Sequence, residues 1–237
     1  MYNFQGILAK AVNNSLVQFE TLGYLTTDIS NLHTNAFKSQ RFENVLNEYG
    51  RLEGSVRTDV QTGSIATTQR PLDVAIKGAG YIPVTQKNGS VGYTRDGSFC
   101  LNADGLMVTN SGAIVGDGIK VPTNYDKILI GKDGTVSITP KNGDEKQVIG
   151  KIPLVQFNNP EGLKILDGNV YEPTKNSGSP KLLKNHDYMV QGSIEKSNVN
   201  FFGTVNEVMQ LNASMIMSTG VMKVVDDMYT KAINIRE

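Results

Sequence analysis

Phe4, Ile7, Leu8, Ala11, Val12, Leu16, Phe19, Leu22, Leu25, Ile29 and Leu32 recur at steps of three and four. That spacing lines one face of an α-helix. No proline interrupts it, so the pattern predicts a single helix over residues 3–32, about 45 Å long at the helical rise. Its other face carries few charges, Lys10, Glu20 and Asp28, among many Asn, Gln, Ser and Thr. The same period returns at the far end in Val199, Phe202, Val205, Val208, Met209, Met215, Ile216, Met222, Val225, Met228, Ala232 and Ile235. These predict a second helix from about residue 199 nearly to the C-terminus, about 50 Å long. "SNVN" at 197–200 and "TVNE" at 204–207 both offer N-caps for it.

Between the helices the period shortens. Asp-Gly occurs at 96, 104, 117, 133 and 167, and Asn-Gly at 88 and 142. Short β-branched or aromatic runs lie between them, such as "LDVAI", "VGYTR", "SFCLN", "LMVTN", "KILIG" and "TVSIT". Asn-Gly and Asp-Gly tolerate the positive φ of tight hairpins, so residues 71–190 predict an antiparallel β domain of many short strands. Residues 39–70 are less regular. "SQRFENVLNEYG" has room for a helical turn or two, and "VRTDVQTGSIATTQRP" looks extended, so this part is expected to be an extended linker.

The expected fold is therefore mixed α and β. Long N- and C-terminal helices (1–38 and 191–237) pair as a coiled-coil-like stem around a central antiparallel all-β domain. Burying a large apolar side chain is worth about 1.5–3 kcal/mol, and one β domain cannot cover two helices this long. A pair of antiparallel helices still leaves an apolar margin on each, which association with other copies or related chains would cover. The expected interface is Ile7, Leu8, Val12, Leu22, Leu25, Ile29 and Leu32 with Val205, Met209, Met215, Ile216, Met222, Val225 and Met228. Leu25→Asp or Met215→Asp is expected to block assembly and leave the β domain folded. Five of the eight methionines lie in the second helix, where their pliable side chains suit helices packing in unequal environments.

Composition narrows the function. Lys+Arg and Asp+Glu both number 23, so there is no basic excess of the kind that bulk nucleic-acid binding requires. Hydrophobic residues make up 39%, with 24 Gly and no Trp, which predicts a small or divided core with many turns. The single Cys100 excludes an intrachain disulfide and cysteine-cluster zinc sites; between Phe99 and Leu101 it reads as a small buried residue. No apolar run is long enough to span a membrane, and "MYNFQGILAKAVNN" is not a cleavable secretory signal.

Candidate chemistry is sparse. His33 has no acidic or cysteine neighbour in sequence and His186 has only Asp187, so a triad or metal site would need partners from elsewhere. "SGAIVGDGIK" at 111–120 lacks the spacing of a phosphate loop. "KSQR" at 38–41 is a short basic run beside Glu43. Asp226 and Asp227 are adjacent on a helix and point about 100° apart, so they cannot face each other as an acid–base pair. No cofactor, metal or catalytic residue is expected.

Several segments together resemble the bacterial flagellar rod and hook family, the axial proteins of the basal body. "RPLDVAIKGAGYIPV" and "GYTRDGSFCLNADGLMVTNSGAIV" match a family strand, a Gly-x-Gly-aromatic turn and a double hairpin, and place Leu72, Asp73, Asp96, Gly97, Asp104 and Gly105 in its pattern. "VQGSIEKSNVN" matches the lead-in to the family's last helix through Glu195, Ser197, Asn198 and Asn200; Asp226 and Met228 are also in register. "IPLVQFNNPEGLKILDGNVYEPTKNSG" matches another segment. In "ISNLHTNAFK", Asn31, Thr34, Asn35, Phe37 and Lys38 match the Asn-rich end of the family's first helix. Two departures stand out. About three residues are missing around His33 and Ala36 replaces a Gly, predicting a tighter turn or a longer helix. Ala213-Ser214-Met215-Ile216 replaces the family's Arg-x-Tyr-Glu, turning a polar, aromatic contact apolar.

The resemblance, which spans nearly the whole chain, implies a proximal or distal rod subunit with a structural role. Such proteins are exported unfolded through the flagellar type III apparatus without a cleaved signal. In the periplasm-spanning rod their terminal helices form the inner wall of a helical tube, β domains lie outside, and torque passes from motor to hook. The implied partners are copies of the chain, other rod and hook proteins, the export apparatus and the rings around the rod, with no nucleic acid and no membrane insertion. Three rival readings are a hook-family relative outside the rod, including hook or non-flagellar surface filaments; a secreted coiled-coil adhesin; and an enzyme with a site in the β domain.

Overall fold

The computed structural model describes residues 4–234 apart from 50, 142–144, 167, 168 and 185. The expected turns at Asn142 and Asp167 and the helical position Ile235 lie outside the described residues. Helix α1 spans Phe4–Ser30 and helix α2 Phe201–Asn234. Between them run β1 (Gln40–Leu46), β2 (Leu52–Thr58), β3 (Ile65–Thr67), β4 (Val74–Ile76), β5 (Ile82–Thr85), β6 (Val91–Thr94), β7 (Phe99–Leu101), β8 (Met107–Thr109) and β9 (Ile114–Val115). There follow β10 (Tyr125–Ile130), β11 (Thr135–Pro140), β12 (Gln147–Lys151), β13 (Val155–Gln156), β14 (Lys164–Leu166), β15 (Val170–Glu172), β16 (Lys181–Leu182), β17 (Met189–Gln191) and β18 (Ser193–Glu195). The chain divides into two compact units. A helical unit holds the residues up to Leu32, Ser39–Asp59 and those from Val199 on; a β unit holds His33–Lys38 and Val60–Asn198.

In the helical unit α1 and α2 run antiparallel. Gln18 Nε2 donates to Ser214 Oγ at 2.7 Å and Asn14 Nδ2 to Ser218 Oγ at 3.0 Å, so positions rising along α1 meet positions falling along α2. Helix α1 stops where Asn31 folds back, its backbone N–H and Nδ2 both donating to Thr27 O. Helix α2 starts at Asn200, whose Oδ1 accepts the Gly203 N–H at 3.2 Å; the earlier of the two candidate caps is the one used.

The helical turn allowed for "SQRFENVLNEYG" does not form. Residues 40–46 are strand β1, paired with β2 from Gln40↔Thr58 to Leu46↔Leu52. A two-turn helix must meet the full nucleation cost with few bonds in return. The hairpin instead gains partners on α1. Phe42 stacks on Tyr24 with ring centroids 5.4 Å apart and lies over Gly54, where a Cβ would fall 1.8 Å from the ring. Asn13 grips Leu52 through both backbone groups, at 2.9 and 3.2 Å.

The β unit is antiparallel throughout its described pairings. A seven-stranded sheet has the order β14-β15-β6-β5-β9-β8-β7, and β10-β11-β12 form a three-stranded sheet. The pairs β13-β16, β17-β4 and β18-β3 complete it. Its core is divided, as the composition predicted. The larger part gathers Val74, Ile76, Ile82, Val84, Phe99, Met107, Val136, Ile138, Ile152, Leu154 and Met189. The smaller is aromatic: Tyr93 and Tyr81 meet Phe157 edge-on at 5.0 and 5.7 Å. Several Asp-Gly turns work as expected, with Gly105 at φ 78° and Gly134 at φ 84°. Asp96-Gly97 differs. Gly97 is there because a Cβ would fall 1.8 Å from the Val74 carbonyl oxygen, so close strand approach, not a positive φ, demands it.

Candidate functional site

The exposed apolar surface of the helices is the feature that ordinary folding does not explain. On α1, Leu8, Val12, Leu16 and Phe19 are exposed, the last two at 59%. Their spacing of four, four and three makes one stripe. On α2, Phe202, Met209, Ile216, Met217, Val221, Val224 and Met228 are exposed, Ile216 at 65%. The seam between the helices is partly polar. Val17 and Leu25 are buried, and so are Gln18 and Asp28; Asn14 and Gln18 bond across to serines of α2. The sequence reading followed the apolar stripes and did not identify this polar seam. Amides and serines at helical spacing were its signal, and only a facing helix gives them meaning.

The expected interface residues divide accordingly. Leu8, Val12, Met209, Ile216 and Met228 are exposed. Leu22, Ile29, Leu32, Val205, Met215, Met222 and Val225 are half-buried, and Leu25 is buried. The side chain of Ile7 lies outside the described ones. Leu25→Asp would therefore unfold the helical unit from within, and Phe19 and Ile216 are the better probes of association. Ser214, in the segment where a polar, aromatic contact was expected to become apolar, has a polar role as the acceptor from Gln18.

Asp28 sits at the end of α1, where burial and then the nearby Glu207 carboxylate raise its pKa to about 6, against the Gln40 N–H bond that lowers it. Its folded value exceeds the unfolded one, so the contribution to stability is complete below the ordinary carboxylate range and is lost as pH rises through about 6. At neutral pH the ionised group opposes folding of the helical unit. Asp28→Asn keeps the acceptor for Gln40 and removes the charge. It is expected to stabilise the unit at neutral pH by about 1–2 kcal/mol after solvent screening, and to flatten the fall in stability above the carboxylate range. Thermal melts across that range check this.

Residues 34–38 of the Asn-rich motif and 195–198 of the lead-in motif lie in the β unit, whereas Asn31 and Asn200 belong to the helical unit. Asn35, Ala36, Phe37 and Lys38 form a strap, with Thr34 half-buried at its start. Ala36 N–H donates to Glu195 O at 2.8 Å, Asn169 Nδ2 to Asn35 O at 2.9 Å, and Asn198 N–H to Phe37 O at 3.3 Å. The longer helix is not found: α1 ends at Ser30, turns follow, and Ala36 itself takes the left-handed conformation, φ 55°. That costs an alanine about 1–2 kcal/mol. Burial of its methyl, worth about 0.8 kcal/mol, and the bond to Glu195 offset it. Lys38 Nζ donates to Glu195 Oε1, and Arg95 Nε donates to Oε2 at 2.9 Å. All three charged side chains are buried. Lys38 and Glu195 were singled out in the sequence; Arg95 was not, although it lies inside "GYTRDGSF".

The other motif residues hold turns and strands. Leu72 packs against the larger core. Asp73 is buried, 3.7 Å from Arg70 Nε. Asp96 Oδ1 accepts from the Ser98 hydroxyl at 2.6 Å, and burial raises its pKa. Asp104 is exposed beside Gly105, Ser197 is half-buried, and Asn200 caps α2. His33 is exposed. His186 is buried beside Tyr188, and burial, then Lys151, holds its pKa down. Cys100 is half-buried, not buried, with Sγ 3.9 Å from Thr109 O.

A depression of about 310 Å³ is lined by Arg70, Pro71, Leu72, Tyr125, Asp126, Lys127, Ile128 and Leu129. That lining contains no His, Cys or Ser to pair as nucleophile and base. Among the described residues no group of three or more His, Cys, Asp and Glu is placed to hold a metal ion, and no helix is long and apolar enough to cross a membrane.

The sequence is similar to flagellar proteins over most of its length. The family model described as the flagellar hook protein FlgE/F/G D1 domain matches residues 75–138. The flagellar basal-body rod protein FlgG of Buchnera aphidicola (Schizaphis graminum symbiont strain) is 31% identical over 89% of this chain and 92% of its own length. The Caulobacter vibrioides FlgG is 28% identical over 97% of this chain and 98% of its own. The basal-body rod protein FlgF of Escherichia coli is 26% identical over 96% and 94%.

Proposed function

The chain belongs to the flagellar basal-body rod protein family, and from that premise we propose that it is a structural subunit of the rod, polymerising helically through α1 and α2. The observation that carries this is the exposed apolar face on each helix, including Leu16 and Phe19 on α1 and Phe202, Met209, Ile216 and Met217 on α2. Stripes of exposed apolar side chains along a helix pair mark association surfaces. A head-to-tail contact between unlike surfaces that does not close into a ring builds an open helical polymer. Export as an unfolded chain fits the same elements, since long helices gain little stability until their partners are present, and their folding can then be coupled to docking on the growing tip. The partners are further copies, other rod and hook proteins, the export apparatus and the surrounding rings. In the finished rod the packed helices carry torque towards the hook.

Mass spectrometry of purified hook–basal bodies, with and without the gene, tests this. The chain is expected in rod stoichiometry, and its deletion is expected to stop the structure at the rod. Normal hooks on basal bodies that lack the chain would overturn the proposal.

A further inference from the structure

The chain crosses between its two units after Leu32, after Lys38, after Asp59 and after Asn198. Three of these crossings are tied within the β unit to one buried cluster. Lys38, the last residue of the strap, donates from Nζ to Glu195 Oε1 and to Gln61 O at 2.6 Å. Gln61, just beyond the third crossing, also accepts from Asn198 Nδ2 at 3.2 Å. Asn198, just before the fourth, donates from its backbone to Phe37 O. At the centre Glu195 accepts from Lys38 and from the Gly63 N–H at 2.9 Å on one oxygen, and from Arg95 on the other.

The members of the cluster are not equally held. Arg95 is fixed on its own by the carbonyls of Gly80 and Gly78, at 2.8 and 3.0 Å, and by the Tyr81 ring, 5.7 Å from its guanidinium carbon. Glu195 lies in β18, paired with β3. If Lys38 leaves, it carries its charge into water while Arg95 and Glu195 remain as a neutral pair. If Glu195 loses its charge, two cations stay buried without a counter-charge. Buried ion clusters favour one arrangement over near neighbours, and breaking them partway is unfavourable, so this joint is either fastened or free.

We propose that Lys38, Glu195 and Arg95 form a clasp that sets how many times the chain is anchored across its two units. Closed, residues 33–38 are part of the β unit, although Leu32 before them and Ser39 after them belong to the helical unit. Open, on the Lys38 side, the strap becomes a loop of the helical unit, and of the four crossings only those after Asp59 and after Asn198 remain. Opening the clasp thereby removes two of the four connections without unfolding the β unit.

Hydrogen exchange on the full chain carrying Lys38→Met tests this, since Met keeps the stem and drops the charge. The amides of Ala36 and Asn198, which bond across the strap, are expected to exchange at least about tenfold faster. The amides of Tyr81 and Val155, which bond each other at 2.7 and 2.9 Å, are expected to stay as protected as before. Unchanged protection at Ala36 and Asn198 would show that the charge cluster does not fasten the strap. Equal loss at all four would show that the strap is ordinary core with no opening of its own. Either result overturns the proposal.

Discussion

Phe19→Asp combined with Ile216→Asp is expected to remove the chain from isolated rods. Both side chains are exposed, at 59% and 65%, so neither supports the helix pair from within and the helical content of the free chain should not change. In an assembly each would lose about 1.5–3 kcal/mol of apolar burial, and each new carboxylate would have to be desolvated. The total, about 4–6 kcal/mol per added subunit, is about a thousandfold or more in affinity for the growing tip. Quantifying the chain in purified basal bodies, with swimming as a second readout, checks this. Incorporation at normal levels would place the association surface elsewhere. Leu25→Asp is a poor substitute because Leu25 is buried within its own unit, and failure to assemble would then only report failure to fold.

Phe99→Ala is expected to lower the Tm of the β unit by about 10 °C. Phe99 is fully buried at the start of β7, opposite Thr109, and belongs to the larger core with Val74, Ile76 and Met107. Removing a buried phenyl ring costs about 3–5 kcal/mol, transfer and cavity terms together, and in a unit of this size that loss produces the stated fall. Backbone neighbours limit relaxation. Val74 N–H donates to Gly97 O at 3.0 Å, and the backbones already lie so close that a Cβ on Gly97 would fall 1.8 Å from Val74 O, which leaves the strands little room to close over the hole. A thermal melt followed in the near ultraviolet measures the shift, and a fall of only a degree or two would mean that the core repacks freely.

The elements that announced themselves in the sequence are those whose signal is local. Helix α1 ends two residues before its expected end and α2 begins two residues after its expected start, because period and caps are carried by neighbours along the chain. The Asp-Gly turns behave likewise at Gly105 and Gly134, where the backbone requirement resides in the residue itself. Asn200 as the α2 cap and Lys38 and Glu195 as marked residues were also legible. Arg95 was harder to see: a single arginine in a hairpin reads as surface until a carboxylate one hundred positions away is placed against it.

Periodicity determined that residues 4–30 and 201–234 are helices, and turn spacing that residues 71–190 hold an antiparallel β domain. Tertiary structure alone decided which helical face turns inward. Hydrophobicity favours burying Leu16 and Phe19, yet α2 presents Ser214 and Ser218 to α1, and the amides of Gln18 and Asn14 can bond there. It also decided that residues 40–58 are a hairpin, because Tyr24, Asn13 and Gly54 supply partners for Phe42 and Leu52 that no window of neighbouring sequence contains. Local propensity sets the type of an element at a few tenths of a kcal/mol per residue, whereas its orientation is set by desolvation and by bonds between groups far apart in sequence, each worth about 1 kcal/mol or more.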